Sequence, residues 1–473
     1  VAPVTFRWWF TAALPVLVGA GWLVLAVWHG VPGFFAGVLP GVLLLGAGLS
    51  NLLLSVDPRI FQYMSIGAAV GVLLAVPDIF VLGPVAAVGL LVGSGASFLA
   101  TGYLALFRQP VPPGVPEPEM SLDLALNAAR DEASMAGIVL TSWPLAVGSN
   151  AARIRREMDN ARSLFDERGW LQNPASYHRK PPGLAASEVQ RTRSGDRKFD
   201  HLVFESGYEP WPEEPGRKRW LSYEDNRTAH AYEMRHPGPP RPWLVCVHGI
   251  RMGSPKGGFK LFRPDHLHHE LGLNLLLPIL PVHGPRRVGP VSGDRILSGD
   301  VMDSLHAGAQ AVWDIRRMIQ HLKESESSSS IGILGESLGG YVAALLASLD
   351  DNLDCVAVCN PAVDPSRLFW SNALSITSHQ LRKHGVTEEK MSETLRPVSP
   401  LALNPLVPKA NRAIFAGVAD RVVTAAEANF LWHHWDEPRI EWFQGTHRGF
   451  LSTPQGRSLL AETLANAGLF VKS

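Results

Sequence analysis

The chain has 473 residues, which is too many for one ordinary hydrophobic core, so we expect at least two structural units. Its 43 lysine and arginine residues are balanced by 43 aspartate and glutamate residues, which argues against nucleic acid as a partner because nucleic-acid-binding proteins usually carry a basic excess. The three cysteines, Cys246, Cys355 and Cys359, lie in apolar runs typical of buried strands, and their odd number favours a reducing compartment.

The N-terminal region consists of long apolar stretches with almost no charge, which indicates membrane-spanning helices. Residues 10–28 and 34–54 each approach the roughly 20 residues that a span requires. The stretch 60–107 is interrupted at Pro77-Asp78, which favours two further spans over one. A cleaved signal peptide would show a single short apolar region. We therefore predict an all-α transmembrane region of about four helices over residues 1–108, in contact with the lipid bilayer, and three spans remain an alternative.

The few cations near these spans predict the orientation in the membrane. Arg7 precedes the first span, Arg59 lies between the second and the third, and Arg108 follows the fourth. With four spans, all three arginines lie on one side, and the positive-inside rule then places both termini in the cytoplasm. Three spans would put the remainder of the chain on the opposite side. The sequence thus predicts a multi-pass membrane protein whose larger part is cytoplasmic.

Residues 109–197 are predicted to be a linker and a helical segment. The proline-rich stretch 109–118 indicates an extended, semi-rigid linker, residues 121–168 have a helical pattern, and residues 172–196 indicate a loop. The second half of the helical segment has an apolar face and a basic face, made of Ile154, Met158, Ala161 and Phe165 and of Arg153, Arg155, Arg156 and Arg162. An interfacial helix on anionic lipid would fit the basic face, but interspersed acidic residues favour packing on the domain that follows.

Strand-like and helix-like runs alternate over residues 198–473, which predicts an α/β domain with a mainly parallel sheet. The predicted strands cover residues 199–205, 228–235, 243–247, 273–280, 331–334, 354–359, 412–417 and 439–443. Helices are predicted over residues 301–323 and 453–470. The stretch 365–408 is too long for a simple connection and predicts a helical cap. The apolar residues of this cap either line an acyl-chain pocket or pack the cap onto the sheet.

The pentapeptide Gly335-Glu336-Ser337-Leu338-Gly339 lies between an apolar run and a helix-like run. This is the pattern of a nucleophile elbow, in which a strand turns sharply into a helix and presents a serine at the turn. A serine in that strained conformation crowds the positions two residues before and after it, so only small residues fit there. We therefore predict that Ser337 is a catalytic nucleophile.

A serine hydroxyl needs a base to accept its proton, and that base needs an acid to orient it. In proteins with this elbow, the acid and the histidine follow the serine in the chain. Asp420 comes shortly after the predicted strand 412–417, and His447 follows the last predicted strand. We predict Ser337, Asp420 and His447 as a catalytic triad, with Asp364, after the strand that follows the elbow, as a reserve acid.

Acyl transfer also requires backbone N–H groups aimed at the developing oxyanion. Leu338 is the first predicted donor because it follows the nucleophile at the N-terminus of a helix. The second donor is expected in the loop after the third predicted strand, where we choose Ile250 ahead of Arg251. His248 in this loop is predicted to shape the loop rather than to act as a base, and we expect the same of His283.

Four features together resemble the α/β-hydrolase superfamily: Val247-His248-Gly249, the pentapeptide around Ser337, Asp420 and His447. The plain His-Gly loop and the stretch 280–286, Leu-Pro-Val-His-Gly-Pro-Arg, are most similar to its dienelactone-hydrolase-like and prolyl-oligopeptidase-like members. The resemblance covers about residues 198–473 and implies the α/β-hydrolase fold. The chain departs from dienelactone hydrolase in having serine rather than cysteine at the elbow, and it lacks the His-Gly-Gly-Gly form found in many lipases and esterases.

The predicted function is that of a membrane-anchored serine hydrolase that cleaves a carboxylic ester or thioester. An acyl ester or acyl lipid is the expected substrate, because a membrane anchor raises the local concentration of lipid. This chemistry requires no metal and no organic cofactor. An acyltransferase or a peptidase would use the same triad, and a membrane scaffold with a catalytically silent hydrolase fold is an alternative of another class. The sequence does not determine the oligomeric state, and a homo-oligomer is one of the alternatives.

Overall fold

The computed structural model describes residues 6–53, 57–142, 145–185, 188–193, 199–325 and 330–469. The chain divides into two compact units. The first unit consists of Val1–Leu140, Gly417–Thr424 and Gln444–Arg448, and the second consists of Thr141–Ala416, Ala425–Phe443 and Gly449–Ser473. Two short segments from the C-terminal part of the chain therefore belong to the same unit as the apolar N-terminal region.

The first unit is helical in its N-terminal part. Its helices within the described residues are α1 (Phe6–Trp28), α2 (Gly30–Leu53), α3 (Arg59–Ala75), α4 (Ile79–Leu82), α5 (Pro84–Arg108) and α6 (Leu122–Leu140). Three apolar stretches are long enough to cross a membrane, namely Thr11–Trp28, Gly30–Leu53 and Pro84–Arg108. The apolar helix α3 is shorter, with 17 residues. The interruption at Pro77-Asp78 lies between α3 and α4, so the structure has three candidate spans where the sequence predicts about four.

Helix α6 packs against α3 and α5 within the first unit. Ser65 Oγ on α3 donates a hydrogen bond to the Ala129 carbonyl on α6 across 3.0 Å. At Gly102 on α5, a Cβ atom would lie 1.8 Å from the Ala125 carbonyl oxygen, so only glycine permits this approach. Helix α6 is therefore part of the same packed helical assembly as the apolar helices.

The second unit is built on a nine-stranded sheet. The strands are β1 (Gln190–Arg193), β2 (Asp200–Glu205), β3 (Thr228–Met234), β4 (Trp243–Val247), β5 (Asn274–Ile279), β6 (Ile331–Glu336), β7 (Cys355–Cys359), β8 (Arg412–Gly417) and β9 (Arg439–Phe443), in the order β1-β2-β3-β5-β4-β6-β7-β8-β9. The pairs that join β5, β4, β6, β7 and β8 are parallel, whereas β2 and β3 pair antiparallel with their neighbours. The predicted α/β class with a mainly parallel sheet is confirmed, and β1 is an additional strand where the sequence predicts a loop.

Helices cover both faces of this sheet. They are α7 (Ser149–Glu167), α8 (Arg217–Leu221), α9 (Pro255–Phe262), α10 (Val301–Ser325), α11 (Leu338–Leu346), α12 (Pro365–Asn372), α13 (Ser375–Lys383), α14 (Glu388–Leu395), α15 (Ala425–His434) and α16 (Pro454–Asn466). Along β4, Leu244 and Cys246 belong to a hydrophobic cluster with α9 and α16, and Val245 and Val247 to a cluster with α7, α10 and α11. The three cysteines are buried, as predicted.

The apolar face predicted for α7 lies in the core of the second unit. Its four residues Ile154, Met158, Ala161 and Phe165 are all buried. On the opposite face, Arg153 pairs with Glu157 and Asp300, and Arg155 pairs with Asp159. Because these arginines are neutralised by carboxylates of the protein, the contacts favour a helix packed on the domain over an interfacial helix on lipid.

Candidate active site

Ser337 stands at the turn between β6 and α11. It has a φ of 59° and a ψ of −118°, a positive φ that is strained for a residue with a side chain. Its N–H donates to the Cys359 carbonyl across 2.8 Å, which ties the turn to β7. A Cβ at Gly335 would lie 2.1 Å from the Gly339 carbonyl oxygen, and one at Gly339 would lie 1.9 Å from the Val247 carbonyl oxygen. Both glycines are therefore required by close backbone approach, as a nucleophile elbow demands.

The loop after β4 lies against Ser337. A Cβ at Gly249 would be 3.4 Å from the Ser337 Cβ, and Arg251 in the same loop has a φ of 66°. His248 is buried, and burial lowers its pKa to about 4, so the ring is neutral near neutral pH. Its Nδ1 donates to the Gly249 carbonyl across 2.8 Å, and its Nε2 accepts the N–H of Leu280 across 3.2 Å. These bonds agree with the loop-shaping role predicted for His248.

Of the two predicted oxyanion donors, Leu338 directly follows Ser337 and Ile250 lies in this loop. Leu338 is the first residue of α11, where the helix dipole favours negative charge. Ile250 directly follows Gly249, the glycine that approaches Ser337. Their role as donors stays a prediction, because it depends on where a substrate oxygen binds.

An apolar cavity lies beside the elbow within the second unit. Its lining includes Leu338 and Tyr341 on α11 and Leu368 and Leu395 from α12 and α14. The predicted cap stretch 365–408 contains α12, α13 and α14. Some apolar side chains of the cap thus line a cavity, and others belong to the hydrophobic core. The packing interpretation applies to the second group, and binding of an acyl chain by the first group stays a prediction.

Asp420 and His447 lie in the two C-terminal segments that belong to the first unit. Asp420 Oδ2 accepts a hydrogen bond from His447 Nδ1 across 2.7 Å. The other oxygen, Oδ1, accepts the N–H groups of Val422 and Val423, each across 2.8 Å. Asp420 is fully buried, so its carboxylate has one fixed orientation. With Nδ1–H donating to Asp420, Nε2 is the basic nitrogen of the imidazole.

Two acidic residues of α6, which belong to no sequence motif, contact these segments. Asp131 Oδ2 accepts the N–H of His447 across 3.0 Å and that of Arg421 across 3.3 Å. Glu132 Oε1 accepts a hydrogen bond from Arg421 Nε across 2.7 Å. Burial, followed by the charge of Asp420, raises the pKa of Asp131 to about 7. The sequence shows only an acidic pair in an alanine-rich helix, which does not reveal partners 289 to 316 positions later.

Asp364, the reserve acid, has a different environment. Its Oδ1 accepts the N–H of Arg367 across 3.0 Å and caps α12. Its own N–H donates to Glu427 Oε2 across 2.7 Å. Since the Nδ1 of His447 is bonded to Asp420, the geometry favours Asp420 as the partner of the histidine and gives Asp364 the role of a helix cap.

The chain is similar to several known proteins. A family model described as "Uncharacterised protein family (UPF0227)" matches residues 296–447. Two Mycobacterium tuberculosis proteins, "Uncharacterized protein MT2702" of strain CDC 1551 / Oshkosh and "Uncharacterized protein Rv2627c" of strain ATCC 25618 / H37Rv, are each 40% identical to it over 360 residues. These matches cover 76% of this chain and 86% of each relative.

Solved structures of esterases show a more distant similarity. An acetyl xylan esterase from Paenibacillus sp. R4 has a TM-score of 0.45 and 15% identity, over 71% of this chain and 99% of that one. An esterase from the Planctomycetes species Thermogutta terrifontis has a TM-score of 0.36 and 18% identity, over 60% of this chain and 96% of that one. Similarities at this distance transfer no activity to the chain.

Proposed function

The chain belongs to the family of the uncharacterized Mycobacterium tuberculosis proteins MT2702 and Rv2627c, and we propose that it is a membrane-anchored serine hydrolase that cleaves a carboxylic ester or thioester. The turn at Ser337 carries this proposal, because a serine with a positive φ is flanked there by two glycines whose replacement would cause collisions. Backbone strain of this kind clusters at functional sites. A serine with only a structural role would not require it.

In the proposed mechanism, Ser337 Oγ attacks the carbonyl carbon of the substrate while His447 Nε2 accepts its proton. Asp420 supports this step because its carboxylate, bonded to the Nδ1–H, stabilises the imidazolium that forms. The N–H groups of Leu338 and Ile250 are proposed to stabilise the negative oxygen of the tetrahedral intermediate. His447 then gives the proton to the leaving alcohol or thiol, and water hydrolyses the acyl-enzyme in the same way.

We propose an acyl ester or acyl lipid as the substrate, with its acyl chain in the apolar cavity beside Leu338. The three long apolar helices are proposed to anchor the protein in the membrane. Helix α3 is proposed as a fourth span, because 17 residues lie at the short end of the lengths that cross a bilayer. With four spans, Arg59 and Arg108 fall on the cytoplasmic side, and so does the hydrolase domain.

Fluorophosphonate labelling of the full-length protein in membranes tests the nucleophile. Wild type should be labelled and Ser337→Ala should not. His447→Ala should be labelled about a thousandfold more slowly, because the serine then lacks its base. Ser348→Ala is the matched control, since it removes another buried hydroxyl of the same unit, one that donates to the Ala344 carbonyl, and it should be labelled like wild type.

The outcomes distinguish the alternatives. Labelling that persists in Ser337→Ala would refute the nucleophile. A folded wild type without labelling would support a silent scaffold and end the hydrolase proposal. If wild type is labelled, p-nitrophenyl esters, acyl thioesters and short peptides of matched hydrophobicity should be compared as substrates. Cleavage of the peptides alone would replace the esterase by a peptidase.

A further inference from the structure

A buried carboxylate on α6 bridges the two segments that carry Asp420 and His447, all within the first unit. Asp131 is 4% exposed. Its Oδ2 accepts the N–H of His447 across 3.0 Å and the N–H of Arg421 across 3.3 Å. Arg421 directly follows Asp420 in the chain, so one carboxylate oxygen binds the backbone of both segments. The acid and the histidine are therefore connected through a third element as well as through their own hydrogen bond.

Glu132, the next residue of α6, makes a second connection to the acid segment. Its carboxylate pairs with Arg421 across 2.7 Å, and the two side chains are only 2% and 9% exposed. Arg421 Nη1 also donates to Gln109 Oε1 across 3.1 Å. Removing one partner of such a buried pair leaves an uncompensated charge, which is strongly unfavourable. Glu132 and Gln109 therefore hold the acid segment against the helical region.

The linker after α5 makes a third connection, this time to the histidine segment. Gln444 Nε2 donates to the Glu117 carbonyl across 3.1 Å, and Gln444 Oε1 accepts the N–H of Glu119 across 2.9 Å. The two segments also bind each other, because the Ala419 N–H donates to the Gly445 carbonyl across 3.0 Å. The linker thus makes specific contacts with the histidine segment.

We propose that Asp131 is a positioning residue of the hydrolase site, which sets the acid and the base in their relative orientation through the backbone of the segments that carry them. The catalytic part of this inference rests on the proposed function. It implies that the N-terminal helical region contributes to catalysis in addition to anchoring the chain. Anchoring alone needs only a tether, whereas a buried carboxylate with no such task would lower the stability of the protein.

The charge of Asp131 adds an electrostatic effect to the positional one. Burial and the charge of Asp420 raise the pKa of Asp131 to about 7, while His447 opposes the rise. An ionised Asp131 in return favours the protonated form of His447. On α3 and α5, which pack against α6, the charged residues are Arg59 and Arg108, and both are bonded within the helical region.

Two substitutions separate position from charge. Asp131→Asn keeps a side-chain oxygen for the two N–H groups and removes the charge. The acid limb of kcat/KM should therefore move to lower pH by about 0.5 unit, with kcat changed less than about fivefold. Asp131→Ala removes the acceptor too, so kcat should fall about 10- to 100-fold while KM changes less than about twofold. Asp123→Asn, which alters an exposed carboxylate of the same helix, is the matched control and should behave like wild type.

Hydrogen–deuterium exchange of the full-length protein measures the positioning without using activity. Asp131→Ala should accelerate exchange in the segments 417–424 and 444–448, and Asp123→Asn should not. Unchanged exchange together with an unchanged pH profile would overturn the inference. If Asp131→Ala does not fold, the pH profile and the exchange of Asp131→Asn decide. A wild type that resists fluorophosphonate would overturn only the hydrolase proposal, because exchange still decides whether Asp131 holds the two segments.

Discussion

At the residue scale, the turn at Ser337 depends on the glycines at positions 335 and 339, which have no side chain. A strained conformation of this kind costs about 1–3 kcal/mol and persists only where the surroundings hold it. Here the Ser337 N–H is bonded to the Cys359 carbonyl across 2.8 Å, and the glycines at 335 and 339 allow neighbouring backbone to come close. The energy that keeps the serine strained therefore comes from the packing of β4, β6 and β7 around it.

Gly339→Ala tests this account of the turn. The added methyl group would lie 1.9 Å from the Val247 carbonyl oxygen, so the turn has to shift. We expect a loss of about 1–3 kcal/mol of unfolding free energy, and labelling by fluorophosphonate should slow by about tenfold or more. Gly183→Ala is the matched control because its nearest neighbour is the flexible end of Gln320 at 3.2 Å. Chemical denaturation and labelling rates decide, and equal behaviour of the two variants would contradict the constraint.

The limits of sequence reasoning also appear at single residues. The sharp turn at Ser337 could be predicted because five adjacent residues specify it. Asp420 and His447 follow strands that apolar runs reveal, and the structure joins the two side chains across 2.7 Å. The contact of Asp131 with His447 could not be predicted, because the two residues are 316 positions apart and an acidic residue in a helix usually faces solvent.

At the scale of elements, the spacing of apolar residues predicts amphipathic helices and strands but gives no signal for elements made of polar residues. The buried face of α7 follows from apolar residues at helical spacing, and the structure places that face in the core. Strand β1, Gln-Arg-Thr-Arg, contains no apolar residue and pairs only along one edge with β2. Because pairing with β2 sets its strand conformation, no local sequence pattern predicts this strand. In the cap, α12 contributes two side chains to the cavity lining, Pro365 and Leu368.

Leu368→Trp on α12 tests whether the cavity holds an acyl chain. A larger side chain would shorten the space, so kcat/KM for a ten-carbon acyl ester should fall by about tenfold or more, while that for an acetyl ester should change less than about threefold. Ile376→Trp on α13 is the matched control, because Ile376 is 60% exposed and does not line the cavity. An equal fall in kcat/KM for both esters, or the same fall in the control variant, would show that the acyl chain binds elsewhere.

At the scale of the whole molecule, the division into units does not follow the order of the chain. The apolar region, the linker and the α/β alternation can each be read from composition and periodicity, because each reflects a local pattern. The assignment of the segments Gly417–Thr424 and Gln444–Arg448 to the N-terminal unit cannot be read in this way. Hydrogen bonds join α6 and the linker to these segments, and such long-range contacts leave no periodic signal in the sequence.

The number of spans determines the side of the membrane on which the hydrolase domain lies, and cysteine accessibility in intact cells measures it. Four spans predict that Val31→Cys and Val85→Cys react with a membrane-impermeant maleimide from outside, whereas Pro58→Cys reacts only after permeabilisation. Val31 and Val85 are 71% and 88% exposed, and the native cysteines are buried, so the unsubstituted protein is a clean control. If Val85→Cys instead reacts under the same conditions as Pro58→Cys, α3 does not cross. The hydrolase domain then lies on the side opposite to Pro58, outside the cytoplasm if Pro58 is within it.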